Sequence, residues 1–412
     1  MSTAARRGGR LGTALTVLLA CGTLAGAALV GAAPASGVQR AEEIAPGVEY
    51  RDFDLDAAHG PAHAHLVTVD LSNQHVRVDL LRPGAVAARE TVSELADAGG
   101  ALAGVNGDFF DISETQHPGV EATGSSVGPE IAGGHVLKAA VPRGQRFGPA
   151  LPPGATTEEV LGVGTDRTAR LDRLSLTGSV STPEGRLTLG GLNQYALPTG
   201  SIGAYTSDWG EVSRVRPTCG TDADRGAPCS TDTYEVTVSG GQVVATADRP
   251  GSGAVPAGAT VLVGREEGAQ RLRKLSVGEA VRVEHHLVAA SSGVPYAFAV
   301  GGFPVLRGGA PLSGLDGTTA AVRTAVGIGD GGHRLLLLAL DGASEYRGGL
   351  TVAELASVLR DLGATEGFNL DGGGSSTLVA RESGEGMVSV LNHPSGGAER
   401  AVANGIGVFS DS

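Results

Sequence analysis

Basic and aromatic side chains are scarce in this 412-residue sequence. It holds 31 Lys and Arg residues against 44 Asp and Glu residues, which gives a formal net charge of −13. A nucleic-acid-binding protein normally presents a basic surface, so we expect no nucleic-acid partner. Aromatic residues make up 4% of the chain, whereas 41% of residues are hydrophobic and 66 are glycine. This composition predicts a folded, turn-rich protein with an aliphatic core rather than a disordered one.

Beyond its N-terminus, the sequence lacks a long hydrophobic run. An arginine-rich start precedes an apolar run from Leu11 to Val30, and Ala33-Pro34-Ala35 offers a small-x-small cleavage site. We therefore predict a signal peptide over residues 1–35, a secreted or cell-envelope location, and no stable membrane span in the mature chain. Two alternatives rank second, namely twin-arginine export through Arg6-Arg7 and lipoprotein anchoring at Cys21.

Cysteine is also rare, with three in the whole chain. If the signal peptide is removed, Cys219 and Cys229 remain, separated by a short polar segment. In an exported protein, such an even pair predicts a disulfide bond, which should stabilise the fold by about 2–3 kcal/mol. Two thiols alone make a poor metal site.

The hydrophobic patterns predict an α+β fold with mixed, mostly antiparallel sheets and few helices. Short alternating segments separated by glycine-rich turns predict a β-rich inserted subdomain over residues 156–290. The N-terminal part of a catalytic domain would then span residues 36–155, and its C-terminal part, with the main site, residues 291–412. Ser72-Asn73-Gln74 predicts a hairpin between the strands on either side of it.

Two segments of the sequence repeat one pattern. Capping boxes at Thr91–Glu94 and Thr351–Glu354 predict the starts of two helices. Each helix is followed by a Gly-Ala pair and, six residues after that glycine, by an Asn-x-Asp segment. These segments are Asn106-Gly107-Asp108 and Asn369-Leu370-Asp371. We predict two similar helix–strand units, each with Asn and Asp at a strand end, whose loops meet in one cleft; chance similarity is the alternative.

The glycine-rich stretch after Asp371 is the strongest candidate site. Three consecutive glycines are unsuited to a strand or helix interior, but they suit a tight turn or the close approach of a ligand. Their N–H groups could form an anion-binding nest. The alternative is a tight turn with one surface Asp. A second carboxylate, Asp341, follows an apolar run that predicts a strand buried on both faces.

Several motifs, in this order along most of the chain, resemble those of the phosphodiester glycosidase family. They are Val105–Phe110, Gly301–Leu306, Arg323–Gly327, Leu340–Gly342, Asn369–Thr377, Asn392–Ser395 and Arg400–Val408. The resemblance implies an exported hydrolase that cleaves the bond between a sugar anomeric carbon and a phosphodiester in glycans or glycopolymers. The alternative is a non-catalytic cell-envelope glycan-binding or exopolysaccharide-associated protein of the same fold.

The implied chemistry suggests roles for individual residues. Glycosidases generally use a pair of carboxylates, and the candidates are Asp371 as first choice for base or nucleophile, then Asp341, then Asp108. Arg323 is the candidate phosphate clamp, because guanidinium matches phosphate oxygens; its alternative is an ion pair with one of these aspartates. The remaining substrate-binding candidates are Asn106, Asn369, Gly372, Gly373, Gly374, Ser375 and Ser376. Both asparagines could instead brace the turns.

The sequence predicts no cofactor and no metal. A divalent cation such as calcium is the alternative, because Asp and Asn side chains are hard oxygen ligands. His63 and His65 share one face of a predicted strand, which would also suit a zinc pair. Since no third ligand lies near them in the sequence, we favour a solvated strand face there.

Overall fold

The computed structural model describes residues 41–382 and 384–410. The predicted signal peptide, with Arg6-Arg7 and Cys21, lies outside the described residues. Within the described ranges, no helix is long and apolar enough to cross a membrane.

The chain forms three α-helices and twenty-five strands in its described part. The helices are α1 (Val92–Gly99), α2 (Glu267–Leu272) and α3 (Val352–Asp361). The strands are β1 (Glu42–Ala45), β2 (Val48–Ala57), β3 (Gly60–Asp70), β4 (Val76–Leu81), β5 (Ala103–Asn106), β6 (Glu130–Ala132), β7 (His135–Lys138), β8 (Glu159–Gly164), β9 (Ala169–Thr182), β10 (Gly185–Thr188), β11 (Gly191–Leu192), β12 (Ile202–Tyr205), β13 (Thr233–Ser239), β14 (Gln242–Ala247), β15 (Ala259–Arg265), β16 (Arg282–Ala289), β17 (Tyr296–Gly301), β18 (Phe303–Arg307), β19 (Ala310–Pro311), β20 (Thr324–Gly329), β21 (Arg334–Leu340), β22 (Glu366–Asn369), β23 (Leu378–Ala380), β24 (Ser389–Val390) and β25 (Gly405–Ser410).

These strands form four sheets. The largest has the order β1-β2-β3-β21-β20-β22-β18-β19, and a second has the order β24-β23-β5-β25-β4. A third sheet runs β10-β9-β8-β17-β6-β7, with β16 also paired to β9, and a fourth runs β11-β12-β15-β13-β14. The described strand pairs are antiparallel except β11 with β12. The predicted α+β class, with mostly antiparallel sheets and few helices, is confirmed.

The centre of the largest sheet is aliphatic, as the low aromatic content predicts. Strand β21 lies between β3 and β20, and its residues from Leu335 to Leu340 are all buried. Helix α3 packs Val352, Leu355 and Leu359 into the same core. The uninterrupted apolar run therefore forms a strand enclosed on both faces.

Both predicted capping boxes are present. The Thr91 side chain accepts the N–H of Glu94, and the Glu94 carboxylate accepts the N–H of Thr91. Thr351 and Glu354 make the same reciprocal pair at the start of α3. These two donors would otherwise be unpaired at the helix start, so the four-residue pattern fixes where each helix begins.

The predicted hairpin at Ser72-Asn73-Gln74 is wrong. Strand β3 pairs with β2 and β21, whereas β4 after the turn pairs with β25 in another sheet. Both edges of β3 are already occupied, so the chain leaves the first sheet at this turn and enters the second. The turn residues marked a change of direction but carried no information on the pairing partner.

The region predicted as an insertion shares a sheet with its neighbours. Strands β8 and β9 lie inside residues 156–290, yet β8 pairs with β17, which lies beyond that range. The exact domain boundaries therefore stay predictions. Cys219 and Cys229 in this region form the predicted disulfide bond.

Candidate active site

Three adjacent central strands bring two candidate carboxylates to one edge of the largest sheet, namely the edge where β21 and β22 end. Strand β20 lies between β21 and β22 and is antiparallel to both, so its start lies beside their ends. The N–H of Leu340 donates to the Arg323 carbonyl and that of Leu370 to the Thr324 carbonyl, each at 2.9 Å. Because neighbouring strands lie about 4.8 Å apart, the backbones at Asp341 and Asp371 are separated by about 10 Å.

The loop after β5 meets the loop after β22, as the repeated pattern predicts. The Asp371 N–H donates to the Gly107 carbonyl at 2.9 Å. Asn106 donates from Nδ2 to the Asp371 carbonyl at 2.7 Å and accepts at Oδ1 from Thr324 Oγ1 and the Thr377 N–H, at 2.8 and 3.1 Å. The Asn106 side chain therefore braces the loop that carries Asp371.

Asp371 is a partly exposed carboxylate held in one orientation. Its Oδ1 accepts the N–H of Gly372 at 2.9 Å, and its Oδ2 accepts the Ser375 hydroxyl at 2.6 Å. Burial raises the pKa of Asp371 to about 6, against the opposing effects of these hydrogen bonds and of the nearby Arg400 charge. At neutral pH the group is mainly ionised but more basic than an ordinary carboxylate, which suits a general base or nucleophile.

Arg400 is the cation beside Asp371, and it was missed among the predicted site residues. Its Nη1 lies 3.3 Å from Ser375 Oγ, and its side chain is exposed. A side chain at Gly374 would collide with its guanidinium, so glycine leaves the space that Arg400 occupies. The signal was in the sequence, because Arg400 opens one of the motifs shared with the glycosidase family.

The path of the backbone in this turn requires glycine at two positions. A Cβ at Gly372 would lie 2.6 Å from the Val322 carbonyl oxygen, and Gly373 has φ of +60°. Four of the five N–H groups from 372 to 376 donate to acceptors within the protein. The anion nest therefore stays a prediction, whereas the tight turn is present.

Asp341 is buried and fully hydrogen-bonded. Its Oδ2 accepts the His393 N–H at 3.0 Å and lies 2.8 Å from His393 Nδ1, while its Oδ1 accepts the Ala343 N–H at 2.7 Å. Burial alone would raise the pKa of Asp341, but these hydrogen bonds outweigh burial and lower it. The His393 side chain is 77% exposed, and Asp341 raises its pKa. Asp341 thus orients an accessible imidazole that the sequence analysis did not select.

Asp108 is enclosed, unlike Asp371. Its two carboxylate oxygens accept the N–H groups of Phe109 at 2.8 Å and Gly128 at 2.6 Å. Burial raises the pKa of Asp108 to about 7, opposed by the Gly128 hydrogen bond and the Lys138 charge. Only 2% of the residue is exposed. The catalytic role predicted for Asp108 stays a prediction, and in this position it supports the loop.

Asp108 belongs to a buried polar network beneath the site. Lys138 Nζ donates to the carbonyls of Gly128 and Ala139 at 2.5 and 2.9 Å. Burial lowers the pKa of Lys138 to about 8, against the charges of Glu130 and Asp108. Asn404 links the two acids, because its Oδ1 accepts the Asp108 N–H and its Nδ2 donates to Glu130 Oε1, at 2.9 and 2.8 Å.

Arg323 and Asn369 lie at the same sheet edge but are engaged with the backbone. Arg323 donates from Nε to the Leu350 carbonyl at 3.0 Å and from Nη2 to the Thr319 carbonyl at 2.8 Å, and it is 7% exposed. Its role as a phosphate clamp stays a prediction. Asn369 is fully buried; its Nδ2 donates to the Leu370 carbonyl at 2.8 Å, whereas its Oδ1 has no hydrogen-bond partner among the described residues.

The remaining predicted residues are placed within this arrangement. Ser376 is buried, and its Oγ lies 3.1 Å from Thr324 Oγ1. The site therefore unites Asp371, Ser375 and Arg400 at its accessible face, with Asn106 and Ser376 behind them. Asp341, directly after β21, and His393, from the loop after β24, form a second polar pair beside this site.

Comparison with known proteins supports the resemblance. The model of the phosphodiester glycosidase family matches residues 232–409. This confirms the family resemblance that the motifs predicted. The matched segment contains Asp341, Asp371 and Arg400, whereas Asp108 lies outside it. No curated protein matches the chain.

Two solved structures share the fold at low sequence identity, and a third is less similar. A hypothetical protein from Synechocystis has a TM-score of 0.67 and 19% identity over 89% of this chain, which spans 62% of that protein's length. A protein from Burkholderia pseudomallei, named as exported, has a TM-score of 0.64 and 23% identity over 85% of this chain and 74% of its own. The zebrafish N-acetylglucosamine-1-phosphodiester alpha-N-acetylglucosaminidase catalytic domain, auto-inhibited by its pro-peptide, has a TM-score of 0.44 and 17% identity over 89% and 85% of the two chains.

Proposed function

We propose that this protein is an exported hydrolase that cleaves the bond between a sugar anomeric carbon and a phosphodiester oxygen, with Asp371 as base or nucleophile. The observation that carries the proposal is the partly exposed Asp371 carboxylate, with a pKa of about 6, beside the exposed Arg400 in a segment that matches the glycosidase family. The proposed substrate is a sugar phosphodiester or phosphorylated glycan, with no nucleic-acid partner. The proposed location is secreted or cell-envelope.

Asp371 is accessible and mainly ionised at neutral pH, so it can take a proton from water or attack the anomeric carbon. The Ser375 hydroxyl donates to Asp371 Oδ2 and fixes the carboxylate's orientation. A phosphomonoester leaves readily, which reduces the need for a strong general acid. Catalysis then depends mainly on the base and on stabilisation of the departing phosphate.

Arg400 is the cation that we assign to the phosphate. Its guanidinium is exposed beside Ser375, so a phosphodiester can reach it. Arg323, in contrast, is buried and donates its hydrogen bonds to backbone carbonyls. A guanidinium matches two phosphate oxygens and stabilises the negative charge that develops on departure. Asp341 keeps the His393 imidazole in place, where it can exchange protons with solvent.

The function is tested by the release of reducing sugar from a panel of glycosyl phosphodiesters, each paired with the same sugar linked to an uncharged alcohol. We expect turnover of at least one phosphodiester and much slower turnover of its uncharged partner. Binding without turnover across the panel would contradict the hydrolase and favour a glycan-binding protein.

Replacing Arg400 tests its assignment to the phosphate. We expect Arg400→Ala to reduce kcat/KM for the phosphodiester by about 10- to 100-fold, because a charge-assisted hydrogen bond contributes about 1.5–3 kcal/mol. Because the Arg400 charge lowers the pKa of Asp371, its removal should also move the acid limb of the pH–rate profile to higher pH. Initial rates from pH 4 to pH 8 give both quantities.

Arg186, an exposed arginine on β10, offers the matched control. Arg186→Ala should leave kcat/KM and the pH profile unchanged. An Arg400→Ala variant with wild-type kcat/KM and an unmoved acid limb would remove Arg400 from the site.

A further inference from the structure

Two histidines and two aspartates lie together on one face of the β2–β3 ladder. Within each strand the pairs are two residues apart and therefore share a face; across the ladder, Asp52 is opposite His65 and Asp54 is opposite His63. The donor atoms of Asp52, His63 and His65 all lie within 4.8 Å of one another. The third ligand that the sequence did not reveal near the two histidines is thus supplied by the neighbouring strand.

The His63 ring is oriented as a metal ligand would be. Its Nδ1 lies 2.7 Å from Asp54 Oδ1, so Nδ1 carries the proton and Nε2 keeps its lone pair. Nε2 faces Asp52, with 3.7 Å between it and Asp52 Oδ2. A carboxylate that holds one ring nitrogen of a histidine whose other nitrogen binds metal is a recurrent second-shell arrangement.

Asp52 has the capacity to bind a cation. Its Oδ1 is shielded from solvent and has no hydrogen-bond partner in the part of the chain that the structure describes. A buried carboxylate oxygen without a partner is costly, and a cation bound by both Asp52 oxygens, with Oδ2 on the His63 side, would satisfy it. Bonds of about 2.1 Å place tetrahedral donors about 3.4 Å apart, close to the 3.7 Å between Asp52 Oδ2 and His63 Nε2.

His65 can serve as the third ligand with a small rearrangement. Its Nδ1 lies 2.8 Å from the Tyr50 hydroxyl, and its Nε2 lies 3.3 Å from Asp341 Oδ2. The contact with Asp341 is the longer one, so Nε2 is the atom more readily released. The single imidazole proton then moves from Nε2 to Nδ1 by exchange with solvent, and Nδ1–H donates to the Tyr50 oxygen, so no net proton is released.

We propose that Asp52, His63 and His65 bind a zinc ion on the β2–β3 ladder, with water in the remaining coordination position. Two imidazoles with one carboxylate favour zinc over the hard calcium ion, which prefers oxygen donors. The side chains of His63 and Asp52 are 19% and 25% exposed, which gives the ion a route in and leaves room for water. The zinc site is separate from the proposed reaction at Asp371, although Asp341 lies next to it.

The test is zinc content of tag-free protein, measured by mass spectrometry after stripping with chelator and equilibration with trace zinc. Cobalt provides a second probe, because Co²⁺ in a low-coordinate site absorbs in the visible range. We expect about one zinc per chain, no displacement by excess calcium, and a cobalt spectrum of a four- or five-coordinate ion. These measurements do not depend on turnover, so they test the zinc site independently of the proposed hydrolase activity.

Variants localise the ion. Asp54→Asn should weaken zinc binding by about 10- to 100-fold, as expected for a second-shell partner, and His63→Gln and Asp52→Asn should weaken it further. His286→Gln, at an exposed histidine on β16, should bind zinc like the wild type. Circular dichroism of the zinc-free variants verifies that each is folded. A wild type that retains no zinc, or folded ligand variants that bind as tightly as the wild type, would overturn the site.

Discussion

Asp371→Asn is expected to reduce turnover of a glycosyl phosphodiester by at least about 10³-fold, within the range for loss of a positioned base. The amide keeps the size of the side chain and can still accept from Ser375, but it can neither take a proton nor form a glycosyl intermediate. Substrate affinity should change little, because Arg400 remains. Single-turnover rates separate the chemical step from binding.

The same variant has a predicted effect on stability that shows whether it is folded. Since the pKa of Asp371 is raised to about 6, the wild type loses stability as pH rises from its unfolded-state pKa towards 6. The Asp371→Asn side chain does not titrate, so the variant does not lose this stability. Its free energy of unfolding, relative to that of the wild type, should therefore increase by up to about 2–3 kcal/mol between pH 4 and pH 7. Urea unfolding at both pH values measures it.

A folded Asp371→Asn enzyme with more than one tenth of wild-type turnover would exclude Asp371 as the reactive group. Asp316→Asn, at an exposed carboxylate near the same edge, provides a control that should leave turnover unchanged. Loss of turnover in both variants would show that the effect is not specific to Asp371.

Arg216→Met is expected to lower the free energy of unfolding by about 3–5 kcal/mol, because it removes the guanidinium that pairs with the buried Glu114 carboxylate. Arg216 is fully buried; it donates from Nε to Glu114 and from both Nη atoms to Gln145 Oε1 at 3.2 Å. Its guanidinium also lies 5.2 Å from the centre of the Tyr195 ring. Methionine fills part of the volume but satisfies none of these acceptors.

The double variant separates loss of the ion pair from loss of packing. Adding Glu114→Gln to Arg216→Met removes the buried carboxylate charge that has lost its arginine and should recover part of the lost stability. Arg271→Ala, at an exposed arginine on α2, should change stability by less than about 0.5 kcal/mol. An Arg216→Met protein within 1 kcal/mol of the wild type would contradict the importance of this buried pair.

Local patterns in the sequence predicted the framework of the site well. Both helix starts follow from four-residue capping boxes, and the buried strand before Asp341 follows from an uninterrupted apolar run. The meeting of Asn106 with the Asp371 loop was predicted from a repeated pattern, because similar helix–strand units place equivalent side chains alike. Each of these inferences depends on residues close together in the chain.

Long-range partners could not be predicted in the same way. The turn after β3 gave no sign that β4 would join another sheet, because pairing depends on which strand edges are free. Arg400 and His393 reach their partners from loops, and a loop has no hydrophobic periodicity from which the direction of a side chain can be predicted. Asp52 lies eleven residues before His63, and only the register of β2 against β3 places them together.

The central claim, cleavage at the anomeric carbon, is tested most directly by hydrolysis in water enriched in ¹⁸O. If Asp371 activates water or forms a glycosyl intermediate, the label enters the hydroxyl on the sugar anomeric carbon, and the released phosphomonoester carries none. Mass spectrometry of both products reads the position of the label. Label in the phosphate instead would show attack at phosphorus and contradict the glycosidase assignment.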